Sequence, residues 1–481
     1  MMFWVLFRYF VFAVFVALAF YYTVKRKHLA LLCLYFWAIG FANCFVFYLT
    51  IWTPAKIVSL FMIWCILFHK KEQPPEHETL YSVFFSFYVA LVVLGNFIAL
   101  FSQASVLVLE GNPLSRLLLQ DFSYLTAGVL LFYGTLLKKG FAPRLYKAYC
   151  IAAETAICIA MVHLFCNAIG IHFMPINRAV EHNDSLVDTS LSVKAMFGGE
   201  RVLRVYGFAG EPKNLGFYIV PYLLMSIVAF LNDKIRLSKP YHIIMFLAGL
   251  FILLETYSSA AIITFVITLP FLLVYFLKGM SKKSLMILLG AVVLASPIAF
   301  RGMLSSGGDD SDTEFAKAMF ERTFQRGYKE LSHGRQEVDI IETYLEGGPL
   351  QLLFGWGIGQ YTFHVEDSFT DDGALKTVQS GIVLAIADFG IPGIILYILL
   401  AIIVFKTLRY SHRHPGIWLK LYAIACMSSF LGSLMYGSIF TCFVYLMICH
   451  YIRIIPSKKK IDNAHTACDN EPGCVEGGTV A

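Results

Sequence analysis

Apolar runs of about 20 residues, separated by short clusters of lysine and arginine, recur from one end of the chain to the other, and no other feature restricts the fold as strongly. A helix of that length spans the roughly 30 Å hydrocarbon core of a bilayer. Backbone groups in hydrocarbon must be satisfied within the protein, so only helices and closed barrels cross it. The runs are continuously apolar and lack the period-2 alternation of barrel strands. Of the 481 residues, 58% are hydrophobic and only 15% charged, and the mean hydropathy is +0.68. Soluble domains carry about a quarter charged residues. The expected fold is therefore all-α, a polytopic integral membrane protein.

The basic clusters orient it. "KRKH" at 25–28, "HKK" at 69–71, "KK" at 138–139, "DKIRLSK" at 233–239, "KGMSKK" at 278–283, "FKTLRYSHRH" at 405–414 and "SKKK" at 457–460 mark one face, the cytoplasmic one by the positive-inside rule. The net charge of +6 resides in these clusters and is no nucleic-acid signal. The runs at 3–22, 29–49, 54–69, 80–101, 119–137, 148–171, 215–232, 240–256, 259–277, 284–300, 379–404, 417–434 and 436–453 thread as about 13 helices, with 12 as the alternative count. The N-terminus falls outside and the C-terminus inside. The first run lacks a small-residue cleavage site and reads as a retained helix. Most of the 11 cysteines lie inside apolar runs, so no disulfide framework is implied.

Six regions follow: N-terminal membrane helices over 1–171, a first extracytoplasmic loop over 172–214, central membrane helices over 215–300, a large second loop or cap over 301–378, C-terminal membrane helices over 379–453, and a disordered cytoplasmic tail over 454–481. The second loop contains fourteen Asp/Glu against seven Lys/Arg, the reverse of the cytoplasmic clusters. It is expected to be partly helical, with apolar periodicity from Phe315 to Leu331 and again through Val338, Ile341 and Leu345 until Gly347-Gly348.

Side chains that could carry chemistry concentrate in these two loops. In "RVLRVYGFAGEPKN", Arg201 and Arg204 are three apart, a spacing that one helical turn would place on one face. Glu211, Lys213 and Asn214 follow at the mouth of an apolar run. Cations beside a helix N-terminus favour an anion, and at a bilayer surface the simplest anion is a lipid phosphate or diphosphate. The competing reading is that these arginines snorkel to headgroups. In the second loop stand Arg335, the "GWGIG" turn and His364; Arg335 could equally pair with Glu337 or Asp339 on a wet face. Asp310 and Asp312 form an Asp-x-Asp that could take a metal but is better read as a helix cap. The apolar runs hold few charges, Glu154, Glu255 and Asp388 among them, whereas ion-coupled carriers usually need ionisable groups near the midplane.

Four segments, in order, resemble the O-antigen polymerase and O-antigen ligase superfamily: "RVYGFAGEPKN", "LETYSSAAIITF", "HGRQEVDIIETYLEGGPLQLLFGWGIGQY" and "QSGIVLAIADFGIPGIILY". The topological likeness covers nearly the whole chain; the motifs are short. Ligases of the family place a histidine directly before the small polar residue that precedes Gly-x-x-Gly. Here Ser380, Gly390 and Gly393 fit that pattern, but Gln379 stands at the histidine position. Glutamine is no general base, which favours a polymerase over a ligase.

The resemblance implies a metal-independent glycosyltransferase without a cofactor, multi-pass in a bacterial cytoplasmic (inner) membrane, its active site facing the periplasm or exterior. It would join polyprenyl-diphosphate-linked oligosaccharides into O-antigen, capsule or exopolysaccharide, with membrane lipid and a chain-length regulator protein as further partners and no nucleic acid. The catalytic residues it implies are Glu211, Arg204, Arg335 and His364. Arg201, Lys213, Asn214 and Gln379 would bind diphosphate or sugar. The alternatives are a ligase acting on lipid A-core, a transporter (flippase) of lipid-linked glycans, and a structural scaffold.

Overall fold

The computed structural model describes residues 2–41, 52–72, 79–102, 113–169, 194–197, 200–231, 239–276, 336–364, 380–414, 416–435 and 439–454. The helices are α1 (Met2–Val24), α2 (His28–Gly40), α3 (Pro54–Phe68), α4 (Thr79–Ser102), α5 (Pro113–Leu130), α6 (Ala142–Ala168), α7 (Pro212–Leu231), α8 (Lys239–Glu255), α9 (Ser259–Phe276), α10 (Gln336–Leu345), α11 (Pro349–Phe354), α12 (Gly381–Phe389), α13 (Ile391–Arg413), α14 (Ile417–Met435) and α15 (Ile439–Ile454). A hairpin of β1 (Lys194–Phe197) and β2 (Glu200–Leu203) precedes α7. The run at 284–300, the pattern over 315–331, Asp310 and Asp312, and the tail beyond Ile454 lie outside the described residues.

Among the described residues, six helices are long and apolar enough to cross a membrane: α1, α4, α6, α7, α13 and α14. Five shorter ones, α2, α3, α8, α9 and α15, share their apolar character. Large apolar side chains such as Phe10, Phe20, Trp64, Phe97, Phe101, Ile244, Val274 and Ile398 face outward, a surface that only a non-aqueous solvent tolerates over such an area. This is the architecture of a helical, membrane-embedded protein. Helices α7 and α14 are the most enclosed of the six and pack on each other. Around them, buried tyrosines donate to carbonyls of neighbouring helices, Tyr149 to Tyr218, Tyr218 to Phe36 and Tyr422 to Ala142, so that polar tips are satisfied in a dry interior.

Two apolar runs fold differently from their sequence expectation. The run at 119–137 is α5, which starts at Pro113 and ends at Leu130, followed by a short 3₁₀ turn over Tyr133–Leu136. Proline suits the first helical position. The run at 379–404 is two helices that break at Gly390, whose φ is +66; a Cβ there would lie 2.7 Å from the Leu352 carbonyl oxygen and the Gly355 nitrogen. Glycine followed closely by Pro392 is a helix-stop signal. Helix α12 folds back along α13, Gly393 against the Ala385 carbonyl and Gly381 against the Tyr397 hydroxyl.

The periodicity ending at Leu345 forms α10, whose Ile340 and Tyr344 pack with Trp356, Tyr361, Val383 and Ala387. The "GWGIG" segment is a turn, as expected, and it is bolted to the membrane helices. Trp356 N–H donates to the Ala387 carbonyl (2.8 Å), Ile358 N–H to the Gly95 carbonyl (3.2 Å) and Gly359 N–H to Asp388 Oδ1 (3.0 Å). Gly355, at φ +72, would bring a Cβ within 2.6 Å of the Ala387 carbonyl oxygen. The other Asp388 oxygen accepts from the Tyr124 hydroxyl of α5 at 2.8 Å, and Asp388 is 0% exposed.

Asp388→Ala would strand two buried donors, at about 1–3 kcal/mol each. Its melting temperature in detergent is expected to drop clearly below that of Asp388→Asn, which keeps one acceptor oxygen; equal melting temperatures for both variants and the wild type would contradict this account.

Candidate functional site

The arginine-bearing first segment is not helical. Arg201 sits in β2 opposite Met196, and Arg204 follows the strand, so the helical turn expected to align the two is replaced by a hairpin. The physical reason is local. Val202, Leu203 and Val205 favour extended backbone, and cross-strand pairing with Lys194–Phe197 satisfies it. The Arg204 guanidinium turns to the end of α8: Nε donates to the Thr256 carbonyl at 2.9 Å and Nη2 to the Tyr257 carbonyl at 3.3 Å. Val205 N–H donates to the Glu255 carbonyl at 3.2 Å. A cation on the last carbonyls of a helix meets the negative end of its dipole. Arg204 thus ties "RVYGFAGEPKN" to "LETYSSAAIITF", two of the four resembling segments.

The turn after Arg204 is held by a residue that the sequence did not single out. Nδ1 of His163, on α6, accepts from the N–H groups of Gly207 (3.2 Å) and Tyr206 (3.4 Å). Its ring lies edge-on to Tyr206. The turn leads into α7, where the N–H groups of Asn214 and Leu215 donate to the Glu211 carbonyl. The Glu211 carboxylate is paired with Lys213 Nζ at 3.2 Å, the two side chains 18% and 30% exposed. Asn214 is half-buried on the same turn. Carboxylate, ammonium and amide are thus brought together at the head of α7, with Arg204 seven residues before Glu211 along the chain.

The other two resembling segments also form a pair, through the bonds from Trp356 and Gly359 to Ala387 and Asp388. Both pairs meet the last turn of α14. Ser380 Oγ donates to the Leu434 carbonyl at 2.9 Å, and Gly381 lies against the Ser433 carbonyl. Gly432 faces the Phe217 ring of α7, and Thr264 Oγ1 of α9 lies 3.9 Å from Met435 Sδ. The second turns of α7 and α9 and the start of α12 therefore gather around one helix terminus.

His364 ends the glycine turn. Its ring stacks on Trp356 with centroids 5.8 Å apart and planes at 12°, and Nε2 is enclosed without a hydrogen-bond partner among the described residues. Burial pushes its pKa below the usual 6.5, which keeps the ring neutral. Arg335 and Gln379 lie outside the described residues. One trio among the described residues could offer a metal three donors: His28, Cys65 and His69, whose ligating atoms lie within 4.8 Å of one another. It sits at the basic end of the helices, among different residues from those just described. Neither family models, nor curated proteins, nor solved structures give a match to this chain.

Because the folded protein resists protonating His364, the stability its neutral ring provides is complete above the unfolded-state value of about 6.5 and is lost as pH falls below it. Between pH 8 and pH 5 the wild-type melting temperature is expected to fall further than that of His364→Phe. Parallel pH profiles would show that this ring does not contribute.

Proposed function

We propose that this protein is a polysaccharide polymerase that joins polyprenyl-diphosphate-linked oligosaccharide repeat units at the outer face of a bacterial cytoplasmic membrane. In this reading the chain crosses the bilayer about 13 times, and residues 172–214 and 301–378 are extracytoplasmic. The single observation that carries the proposal is the meeting of all four family-like segments, as two hydrogen-bonded pairs, around the last turn of α14. A partly exposed carboxylate–ammonium pair stands at the head of α7, where an acceptor and a donor anchored by lipid tails would both present their headgroups.

In the proposed reaction the acceptor hydroxyl attacks the anomeric carbon of the growing chain. The bond from that carbon to the diphosphate oxygen breaks, and the lipid diphosphate leaves with the electron pair. Diphosphate leaves without protonation, so cations are the main requirement. Arginine's planar fork suits phosphate oxygens, and Arg335 and Arg201 are assigned to this role with Lys213. Arg204 acts by holding the bend after α8 in place. Glu211 is the base for the acceptor proton, with His364 the second candidate. The ion pair between Lys213 and Glu211 gives a simple sequence of events: arriving diphosphate draws Lys213 away, and the released carboxylate is then able to accept the proton. Asn214 and Gln379 are assigned to sugar or phosphate contacts.

The test is a clean deletion complemented with variants, with surface polysaccharide sized on a gel and lipid-linked intermediates extracted. Single repeat units without a ladder are expected in the deletion. Glu211→Gln and Arg335→Ala are each expected to lower polymerisation about 10²–10³-fold, by analogy with other charge-stabilising groups, at unchanged melting temperature. Arg204→Ala should lower both. Full ladders from Glu211→Gln and Arg335→Ala at wild-type protein levels would overturn the proposal. Finished chains stranded on lipid diphosphate would mean a ligase, and single units trapped inside would mean a flippase.

A further inference from the structure

At the basic end of the bundle a cavity of about 1170 Å³ opens between α1, α2 and the segment leading into α6. Its rim carries six cations, from three connections and one helix: Arg26 and Lys27 between α1 and α2, Lys70 after α3, Lys138 and Lys139 before α6, and Arg144 in the first turn of α6. Glu72 is the one carboxylate among the lining residues. It lies 3.9 Å from Lys138 with both side chains well exposed, a pairing too wet to neutralise the rim. Below the rim the walls become apolar, with Phe15 and Leu18 from α1 and Leu34 and Trp37 from α2.

The depth of this apolar part decides what fits. From Lys27 to Trp37 is ten residues, about 15 Å along a helix. Half the hydrocarbon thickness of a bilayer is also about 15 Å. A soluble anion would use the rim alone and leave the trench empty, whereas a phospholipid matches charge at one end and one leaflet of hydrocarbon at the other. The same six cations oppose a divalent metal at the neighbouring His28–Cys65–His69 trio, of which His28 and His69 also line the cavity. The structure assigns this cavity to an anionic phospholipid, its phosphate among Lys138, Lys139, Arg144 and Arg26 and one acyl chain lying along Leu18, Leu34 and Trp37. The site is independent of the reading given under Proposed function, because it uses none of the same residues and opens at the opposite, basic ends of the helices.

The test uses the full-length protein in nanodiscs of phosphatidylcholine doped with brominated lipid, which quenches nearby tryptophan. The Trp37 signal is taken as the difference between the wild type and Trp37→Phe. Brominated phosphatidylglycerol is expected to quench it at lower mole fraction than brominated phosphatidylcholine. Lys138→Gln, Lys139→Gln and Arg144→Gln, all at exposed positions, should each weaken this preference about fivefold, the worth of one basic residue at an anionic surface. Glycerol phosphate, a headgroup without tails, should fail to compete at millimolar concentration. Equal quenching by both lipids would overturn the proposal, and so would full displacement by glycerol phosphate, which would mark a soluble-anion site.

Discussion

A carboxylate enclosed by apolar helices must find its donors within the protein, and Asp388 finds two from distant parts of the chain. Tyr124 reaches it from α5 and Gly359 from the glycine turn, so one side chain fixes a helix, that turn and the bend before α13 relative to one another. Charge burial is unfavourable unless such partners are in place, which gives this junction a single satisfactory arrangement. The packing of Ile340, Tyr344 and Trp356 on α12 depends on that arrangement. The seat of Ser380 against α14 depends on it as well.

The head of α7 is built on a different principle. Nothing there is deeply buried and charged; instead the backbone is constrained from outside. Arg204 grips the two carbonyls that follow the end of α8, and His163 accepts two N–H groups of the turn after Arg204. The result holds Glu211 and Lys213 at a helix mouth while leaving both partly open to a ligand. A rigid frame with partly exposed charges is what a site for an anchored anionic substrate requires, and this division between frame and working groups underlies the polymerase reading.

Much of the architecture was legible from local signals. Apolar runs located the helices, proline and glycine marked several ends, and the periodicity through Val338, Ile341 and Leu345 located α10, which ends two residues before Gly347-Gly348. The helical pairing of Arg201 with Arg204 was not, because spacing of three residues is silent about whether the backbone is coiled or extended. His163 and Asp388 carried no sequence signal of their roles: their partners are 44 and 264 residues away, and long-range pairing leaves no mark in a single sequence. The break at Gly390 was signalled by Gly-x-Pro, but the hydrophobicity on both sides masked it.

That break has a mechanical consequence. Helix α12 enters at the depth of Tyr397 and rises to Gly390 before the chain descends again as α13. Nine helical residues make a rod of about 13 Å, pivoted at a glycine and resting with its far end on the last turn of α14. A force applied to the chain ahead of Ser380 acts on the end of that lever that is bonded to Leu434, so displacement there is delivered to α14, one of the two most enclosed of the long helices, without passing through the lipid-facing ones.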